Sequence, residues 1–534
     1  TYQLTDYTKN EDGTYNYTVN SIGDATNHTL DSFFGTDGDR RFYIQGYFNY
    51  DRAFGDHHVG GMLLYNQDEY NSNVNSSLLN SLPKRRMGIA VRAAYDYANR
   101  YLFEFNAGYN GSENFAKGHR FGFFPSVSVG WNISQEKFWE PIRNIVSNFK
   151  IRGSYGLVGN DQVPYTRFLY MGITTLNDSP SYQTGYGSHK ESHNGPTFSR
   201  FENEDMTWEV GHKLNVGADI QLFNSLNLTV DAFREIRSNI LTTKGSIPNY
   251  LGAAKTVIYG NFAKVKNWGV DLAVDYGKQI NRDLSIQFKG TFTFARNRVM
   301  ETDEAADIRP ALSAVEKPLN TLWGYVADGL YIDEADIANN PTSTLGNITI
   351  AAGDVKYVDQ PDVNGNYDGQ IDSDDRVAIG HPTIPEIIYG FGPSITWKKW
   401  DFSVFFQGQA NVSLMMSGFE PFGTQSKNNV LEWIAEDYWS KENQNPNAKY
   451  PRLTKYNNNN NMQSSTYWLR NAAFLKLKNA EVGYNFKWGR VYMSGTNLLT
   501  FSPFKLWDPE MGGGKGMAYP TQRTFNLGVQ ITFK

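Results

Sequence analysis

The sequence predicts an all-β fold of one class, an antiparallel β-barrel that crosses a membrane. Three observations predict it. Apolar and polar residues alternate along many segments of ten or so residues. Aromatic residues make up 15% of the chain and charged residues only 20%, below the roughly 25% of ordinary soluble domains. Short turns also alternate with long polar excursions, the rhythm of a barrel whose inner turns are tight and whose outer loops are large.

The strands can be justified in order, because successive side chains of a strand point to opposite faces. In residues 86–97, Met87, Ile89, Val91, Ala93, Tyr95 and Tyr97 face one way, while Arg92 and Asp96 fall on the other row. Residues 101–110 repeat this, with Tyr101, Phe103, Phe105 and Tyr109 opposite Glu104, Asn106 and Asn110. Leu214, Val216, Ala218, Ile220 and Leu222 oppose Asn215, Asp219 and Gln221, and residues 284–294 and 400–410 read alike. The final strand sets Phe525, Leu527, Val529, Ile531 and Phe533 against Asn526, Gln530 and Thr532. Charges keep to the polar row, where a lumen would receive them; on a lipid face each would cost about 2–4 kcal/mol near the midplane.

Counting back from an inner C-terminus gives roughly 15–16 strands of about ten residues or more. The outer excursions are 159–206, 242–263, 301–385, 413–471 and 501–521, expected to be polar and without structure of their own. The tract 135–147 is an inner connection, with a helical turn expected at 141–146. The first strand is expected at 42–50, with residue 1 in an outer loop.

Bulk properties exclude other classes. No apolar run approaches the ~20 residues of a spanning helix. The mean hydropathy of −0.52 does not oppose a barrel, because spanning strands average apolar and polar positions. The absence of cysteine removes disulfide scaffolds, cysteine-ligated zinc and thiol catalysis. A net charge of −5 gives no reason to expect nucleic acid. There is no G-x-S-x-G elbow, no H-E-x-x-H and no complete P-loop around Gly512–Gly516, so no enzymatic site is expected. His57 and His58 are neighbours in a strand, which points them to opposite faces and excludes joint ligation. The asparagine run 457–461 reads as low-complexity loop.

Two constellations stand out in the loops. Residues 362–375, Asp-Val-Asn-Gly-Asn-Tyr-Asp-Gly-Gln-Ile-Asp-Ser-Asp-Asp, resemble an EF-hand-type calcium loop. Calcium takes six to eight oxygens on a tight loop, and Asp362, Asn364, Asp368, Gln370, Asp372 and Asp375 are the candidate ligands. Gly369 would permit the sharp turn and Ile371 would pin the loop. Two residues, Asn366-Tyr367, look inserted, so either Asp362 and Asn364 open a lengthened loop or Asn364 and Asn366 open a standard one. Calcium here would staple the 301–385 loop. The second constellation is aromatic: Trp323, Tyr325, Trp433, Trp439 and Trp468 are candidates for stacking on substrate at the mouth, against the plainer reading that they pack the loops together.

Many stretches, in order, resemble one family. They include NRYLFEFNAGYNGSENF (99–115), GHRFGFFPSVSVGW (118–131), FKIRGSYGLVGND (149–161), MTWEVGHKLNVGAD (206–219), NFAKVKNWGVDL (261–272), WGYVADGLY (323–331), IYGFGPSITWKKWDFSVFFQG (388–408), YWLRNAAFLKLKNAEVGYNF (467–486), SGTNLLTFS (494–502) and YPTQRTFNLGV (519–529). The chain resembles the C-terminal barrel portion of SusC/RagA-like TonB-dependent outer-membrane transporters of the Bacteroidetes. That resemblance implies a bacterial outer-membrane barrel of about 22 strands, of which residues 1–534 supply the last 15–16. It implies a plug and a TonB contact outside this chain, a SusD-like lipoprotein lid, a dimer of that pair, and import of oligosaccharides or peptides. A passive porin and a soluble secreted β-protein are the alternatives.

Overall fold

The computed structural model describes residues 2–21, 35–73, 81–162, 167–245, 258–305, 308–418, 430–454 and 458–533. The chain divides into two compact units, Thr1–Phe42 with Glu69–Lys84 and Tyr43–Asp68 with Arg85–Lys534. In the first unit, strands Tyr2–Lys9 and Tyr15–Ser21 form an antiparallel hairpin. Its turn closes through Gly13 N–H on the Asn10 carbonyl at 3.0 Å, with Gly13 at φ +86°.

Fifteen strands form one antiparallel meander. They are β1 (Asp39–Phe54), β2 (His57–Ser72), β3 (Lys84–Tyr97), β4 (Tyr101–Ser112) and β5 (Phe121–Asn132). Then come β6 (Val146–Asn160), β7 (Glu209–Leu222), β8 (Leu226–Thr243), β9 (Tyr259–Asn281) and β10 (Leu284–Glu301). The last are β11 (Ile387–Trp397), β12 (Trp400–Ala410), β13 (Phe474–Phe486), β14 (Gly489–Phe501) and β15 (Thr524–Ile531). Each pairs with its sequence neighbour, and β1 and β15 are the two edges. Most exceed the 9–11 residues that cross a bilayer; β9, at 23 residues, is long enough to reach well beyond it.

The register confirms the two faces. Across β4 and β5, Tyr101 lies opposite Trp131, Phe103 opposite Val129, Phe105 opposite Val127 and Tyr109 opposite Phe123. All eight side chains are exposed. The intervening pairs are Glu104 with Ser128 and Asn106 with Ser126. A continuous band of exposed aromatic and aliphatic residues, including Leu214, Val216, Phe402, Met493 and Leu527, is the surface that hydrocarbon covers and water does not.

The turns on one side are tight. Ala98 and Asn99 (φ +53° and +55°) and Phe223 and Asn224 (both +52°) make two-residue turns with positive φ at both centres, the twist that suits a right-twisted hairpin. The β5–β6 connection carries two 3₁₀ turns, Ile133–Gln135 and Lys137–Ile142. The helical turn, Lys137–Ile142, therefore lies earlier than the 141–146 expected and carries Pro141 near its end, not at its start. On the other side the described parts of the 159–206, 301–385 and 413–471 excursions are folded, contrary to the expectation of unstructured loops, while residues 246–257 of the 242–263 excursion lie outside the described residues. The 159–206 excursion holds the hairpin Ile173–Thr184 with Glu191–Arg200. The 301–385 excursion holds six short strands, three of them Leu322–Gly324, Val355–Tyr357 and Val377–Ile379.

Candidate functional site

Two regions can act chemically, the inner face of the sheet and the folded loops. On the inner face the polar row carries charges that pair across strands and, for Arg237 with Glu235, along one. Arg92 meets Glu104 at 2.5 Å, and Arg152 bridges Asp219 at 3.2 Å and Asp231 at 2.6 Å. Arg237 joins Glu209 at 2.9 Å and Glu235 at 2.8 Å, and Arg296 grips Glu386 with two bonds of 2.7 Å. Arg490 binds Asp401 and Glu481. His58 contacts Asp96 at 2.9 Å and Asp51 at 3.1 Å, while its neighbour His57 meets the Tyr95 hydroxyl at 2.8 Å. The two histidines diverge as strand alternation requires. A concavity lined by His58, Arg92, Glu104, Lys150, Arg152 and Asn215 lies on this face. The sheet thus carries a hydrophilic face and an apolar one.

Two hydrophobic cores organise the loops, one within the β12–β13 loop and one shared between it and the β10–β11 loop. One gathers Val412, Leu414, Met416, Ile434, Tyr450, Trp468, Ala472 and Phe504. The other joins Tyr325, Leu330, Val355, Tyr357 and Ile371 of the first loop to Trp439 and Ala448 of the second. Trp439 lies so close to Gly353, itself at φ +87°, that an added Cβ would approach its ring to 2.3 Å. The last loop joins in: Phe504 enters the first core, and Gly514 N–H donates to the Met415 carbonyl at 2.8 Å. Lys476 of β13, fully buried, holds Asp508 at 2.8 Å and also binds Glu510. Of the 512–516 glycines, Gly513 lies against the Met415 backbone and Gly516 against the Trp507 ring.

A buried polar hub ties the loops. Asp354 accepts from Asn458 and Asn461 side chains, each at 2.9 Å, and from Arg452 at 2.7 and 3.0 Å. Val355 N–H donates to Asn461 Oδ1 at 2.9 Å, and the Tyr357 hydroxyl to the Asn460 carbonyl at 2.6 Å. Three residues of the asparagine run are thus core, while Asn459 stays exposed. Position 457 lies outside the described residues; Asn458, Asn460 and Asn461 are almost completely buried. Composition suggested low complexity, but the side-chain amides of Asn458, Asn460 and Asn461 each donate to a specific partner. Burial also pushes the Tyr357 and Tyr467 hydroxyls well above the usual phenol range, so both stay neutral.

The candidate aromatics divide accordingly. Tyr325, Trp439 and Trp468 are at most 5% exposed and spend their faces inside the loop cores, which corrects their reading as stacking surfaces. Trp468 also donates from Nε1 to the Asn461 carbonyl at 2.7 Å. Trp323 and Trp433 are half-buried and keep part of their surface open.

The acidic loop is ordered by its own backbone. Asp362 Oδ1 accepts from Asn364 N–H at 2.8 Å and Asn366 N–H at 2.9 Å. These bonds hold its carboxyl below the usual range. Asp368 Oδ1 accepts from Gln370 N–H at 2.9 Å. Gly369 has φ +75° and Ile371 is fully buried. Asp372 caps the 3₁₀ turn Ser373–Asp375, accepting from Asp374 N–H at 2.8 Å. Asp375 is buried and accepts from Gln360 N–H and Asp372 N–H, each at 2.7 Å. Burial raises its pKa against those two bonds, and the charges of Asp359 and Asp372 add to the rise. Asp359, three residues ahead of the motif, is also buried; its Oδ2 accepts from Gly369 N–H at 2.9 Å. No three acidic or histidine side chains converge at metal-binding distance among the described residues.

Comparison with known proteins completes the picture. Residues 1–498 match the family described as TonB dependent receptor-like, beta-barrel. TonB-dependent receptor P3 of Formosa agariphila is 26% identical over 479 residues, which cover 83% of this chain and 45% of that protein. TonB-dependent receptor SusC of Bacteroides thetaiotaomicron is 24% identical over 464 residues, covering 83% and 43%. The chain spans about half the length of the curated relatives it matches. Among solved structures, the RagAB peptide transporter superposes with a TM-score of 0.69 at 20% identity, over 93% of this chain and 56% of that one, a likeness of fold.

Proposed function

The chain belongs to the TonB-dependent receptor-like β-barrel family of the bacterial outer membrane, and from that membership we propose that it forms the wall and mouth of an energised importer of oligosaccharides or peptides. The observation that carries the proposal is the contrast between the two faces of the sheet. Its exposed row is aromatic and aliphatic, and its inner row is a ladder of paired charges such as Arg152 with Asp219 and Asp231. Substrates too polar for lipid would pass along that inner row.

Two relatives bear on the cargo and its machinery. SusC is a TonB-dependent receptor, and RagAB is a peptide transporter. By analogy, a SusD-like surface lipoprotein would cap the folded loops, a plug outside this chain would block the lumen, and TonB would act on that plug. Two such pairs would associate as a dimer. Trp323 and Trp433, which keep open surface, would touch substrate at the mouth. A passive pore is the weaker reading, because it needs a sheet closed on itself. Edge strands β1 and β15 do not pair with each other among the described residues.

The test is uptake by cells producing the complete transporter, with and without tonB, using labelled peptides and labelled oligosaccharides. Uptake of one class that disappears without TonB supports the proposal. Equal uptake in both strains would sink it in favour of a passive pore.

A further inference from the structure

We propose that residues 359–375 bind one calcium ion, with Asp359, which lies outside the recognisable motif, as its buried anchor. This inference does not rest on the transport reading.

Asp359 is 6% exposed, and among the described residues its Oδ1 is a buried oxygen with no hydrogen-bond partner. Such an atom normally costs several kcal/mol unless something satisfies it. Its other oxygen accepts from Gly369 N–H at 2.9 Å, which holds the carboxylate against the peptide next to Asp368. Asp375, also buried, accepts at 2.7 Å from Gln360 N–H, the peptide that follows Asp359, and from Asp372 N–H, and its charge interacts with that of Asp359. No lysine or arginine lies within ion-pair distance of Asp359 or Asp375 among the described residues; the nearby ion pair, Arg309 with Asp374 at 3.0 Å, leaves both untouched. Two neighbouring buried carboxylates with no cation paired to either form an electrostatically incomplete arrangement, and a divalent ion completes it.

The donors are all oxygens: the carboxylates of Asp359, Asp368, Asp372 and Asp375, and the amide carbonyl of Gln370. A flexible all-oxygen set suits calcium, whereas magnesium demands near-octahedral geometry and keeps its water. Asp368 is exposed and Asp372 half-buried, so both can swing onto the ion, and binding closes the loop around the two acids already in place. Asp362 and Asn364 are left in their own turn at the tip, where Asp362 is spent on backbone N–H groups. The consequence is mechanical: Ile371, next to Gln370, is locked in the shared loop core, so calcium would brace both long loops at once.

The experiment uses the full-length protein in detergent, stripped with EDTA and dialysed against calcium chloride or magnesium chloride. Expected are one calcium per chain, with a dissociation constant of about 10⁻⁴–10⁻³ M as in extracellular modules, and slower tryptic cleavage after the exposed Arg376 with calcium but not with magnesium. Asp359→Asn should weaken calcium binding at least about tenfold, the loss that even an outer-shell partner brings, and by more than Asp362→Asn. If Asp359→Asn disorders the segment in calcium-free buffer, Asp368→Asn, which spares the buried pair, carries the same test. No saturable calcium binding by the wild type overturns the proposal. So does magnesium protecting equally, or Asp362→Asn proving the more damaging change.

Discussion

Asp354 and Asn461, separated by 107 residues of chain, meet in a buried hydrogen bond of 2.9 Å, Asn461 donating. The same carboxylate also takes Asn458 and Arg452. Two loops rising from different strand pairs are thereby one folded body, and their stabilities are coupled.

Replacing Asp354 by alanine should loosen both loops together. It strips the partner from Arg452 and from two buried amides, a loss of about 3 kcal/mol or more of local stability. Hydrogen exchange should rise in 322–379 and in 430–473 while the sheet keeps its protection. Exchange confined to one loop would show that the hub does not couple them.

Trp468 and Trp323 should behave as opposites. Trp468→Ala empties a site 2% exposed at the centre of the first loop core and should cost about 3–5 kcal/mol, seen as proteolysis of the loops. Trp323→Ala, at a half-buried ring, should leave protease resistance alone and weaken substrate binding to the assembled transporter, measured by calorimetry. Equal loop damage from both would return Trp323 to the packing class.

The two faces can be tested by one charge. Phe103→Arg places a cation on the exposed row and should lower the yield of folded, membrane-assembled protein, at about 2–4 kcal/mol if the site lies near the midplane. Asn106→Arg, on the inner row, should assemble normally. Indistinguishable yields would mean that the outward row is not in lipid.

The last loop should be released by acid. Burial pushes the Asp508 carboxyl up, but the Lys476 ammonium and the Glu510 N–H outweigh it, so its pKa lies below the usual value. A depressed carboxyl contributes stability that is present above the unfolded pKa, about 3.9, and is lost as pH falls through the folded one. Cleavage of 502–523 by an acid-active protease should therefore accelerate below about pH 4. Lys476→Met should abolish that pH dependence; a dependence unchanged in the variant would assign it to another group.

Sequence alone determined where the strands of the main sheet lie and which way their side chains point. The alternation of Tyr101, Phe103 and Phe105 with Leu102, Glu104 and Asn106 is a local property of period two, and it survived intact into the register with β5. The positions of the long excursions were legible for the same reason, since turns punctuate a strand pattern locally. What lies inside those excursions was decided only by tertiary structure. Nothing in a run of asparagines says that three of them are buried, because their partners Asp354, Val355 and Ser343 lie more than a hundred residues away. Nothing in the 362–375 motif points to Asp359, whose role follows from its bond to Gly369 and its burial beside Asp375. Side-chain direction in a strand is fixed by neighbouring residues, whereas the worth of a polar group is fixed by what surrounds it, and that only the folded chain supplies.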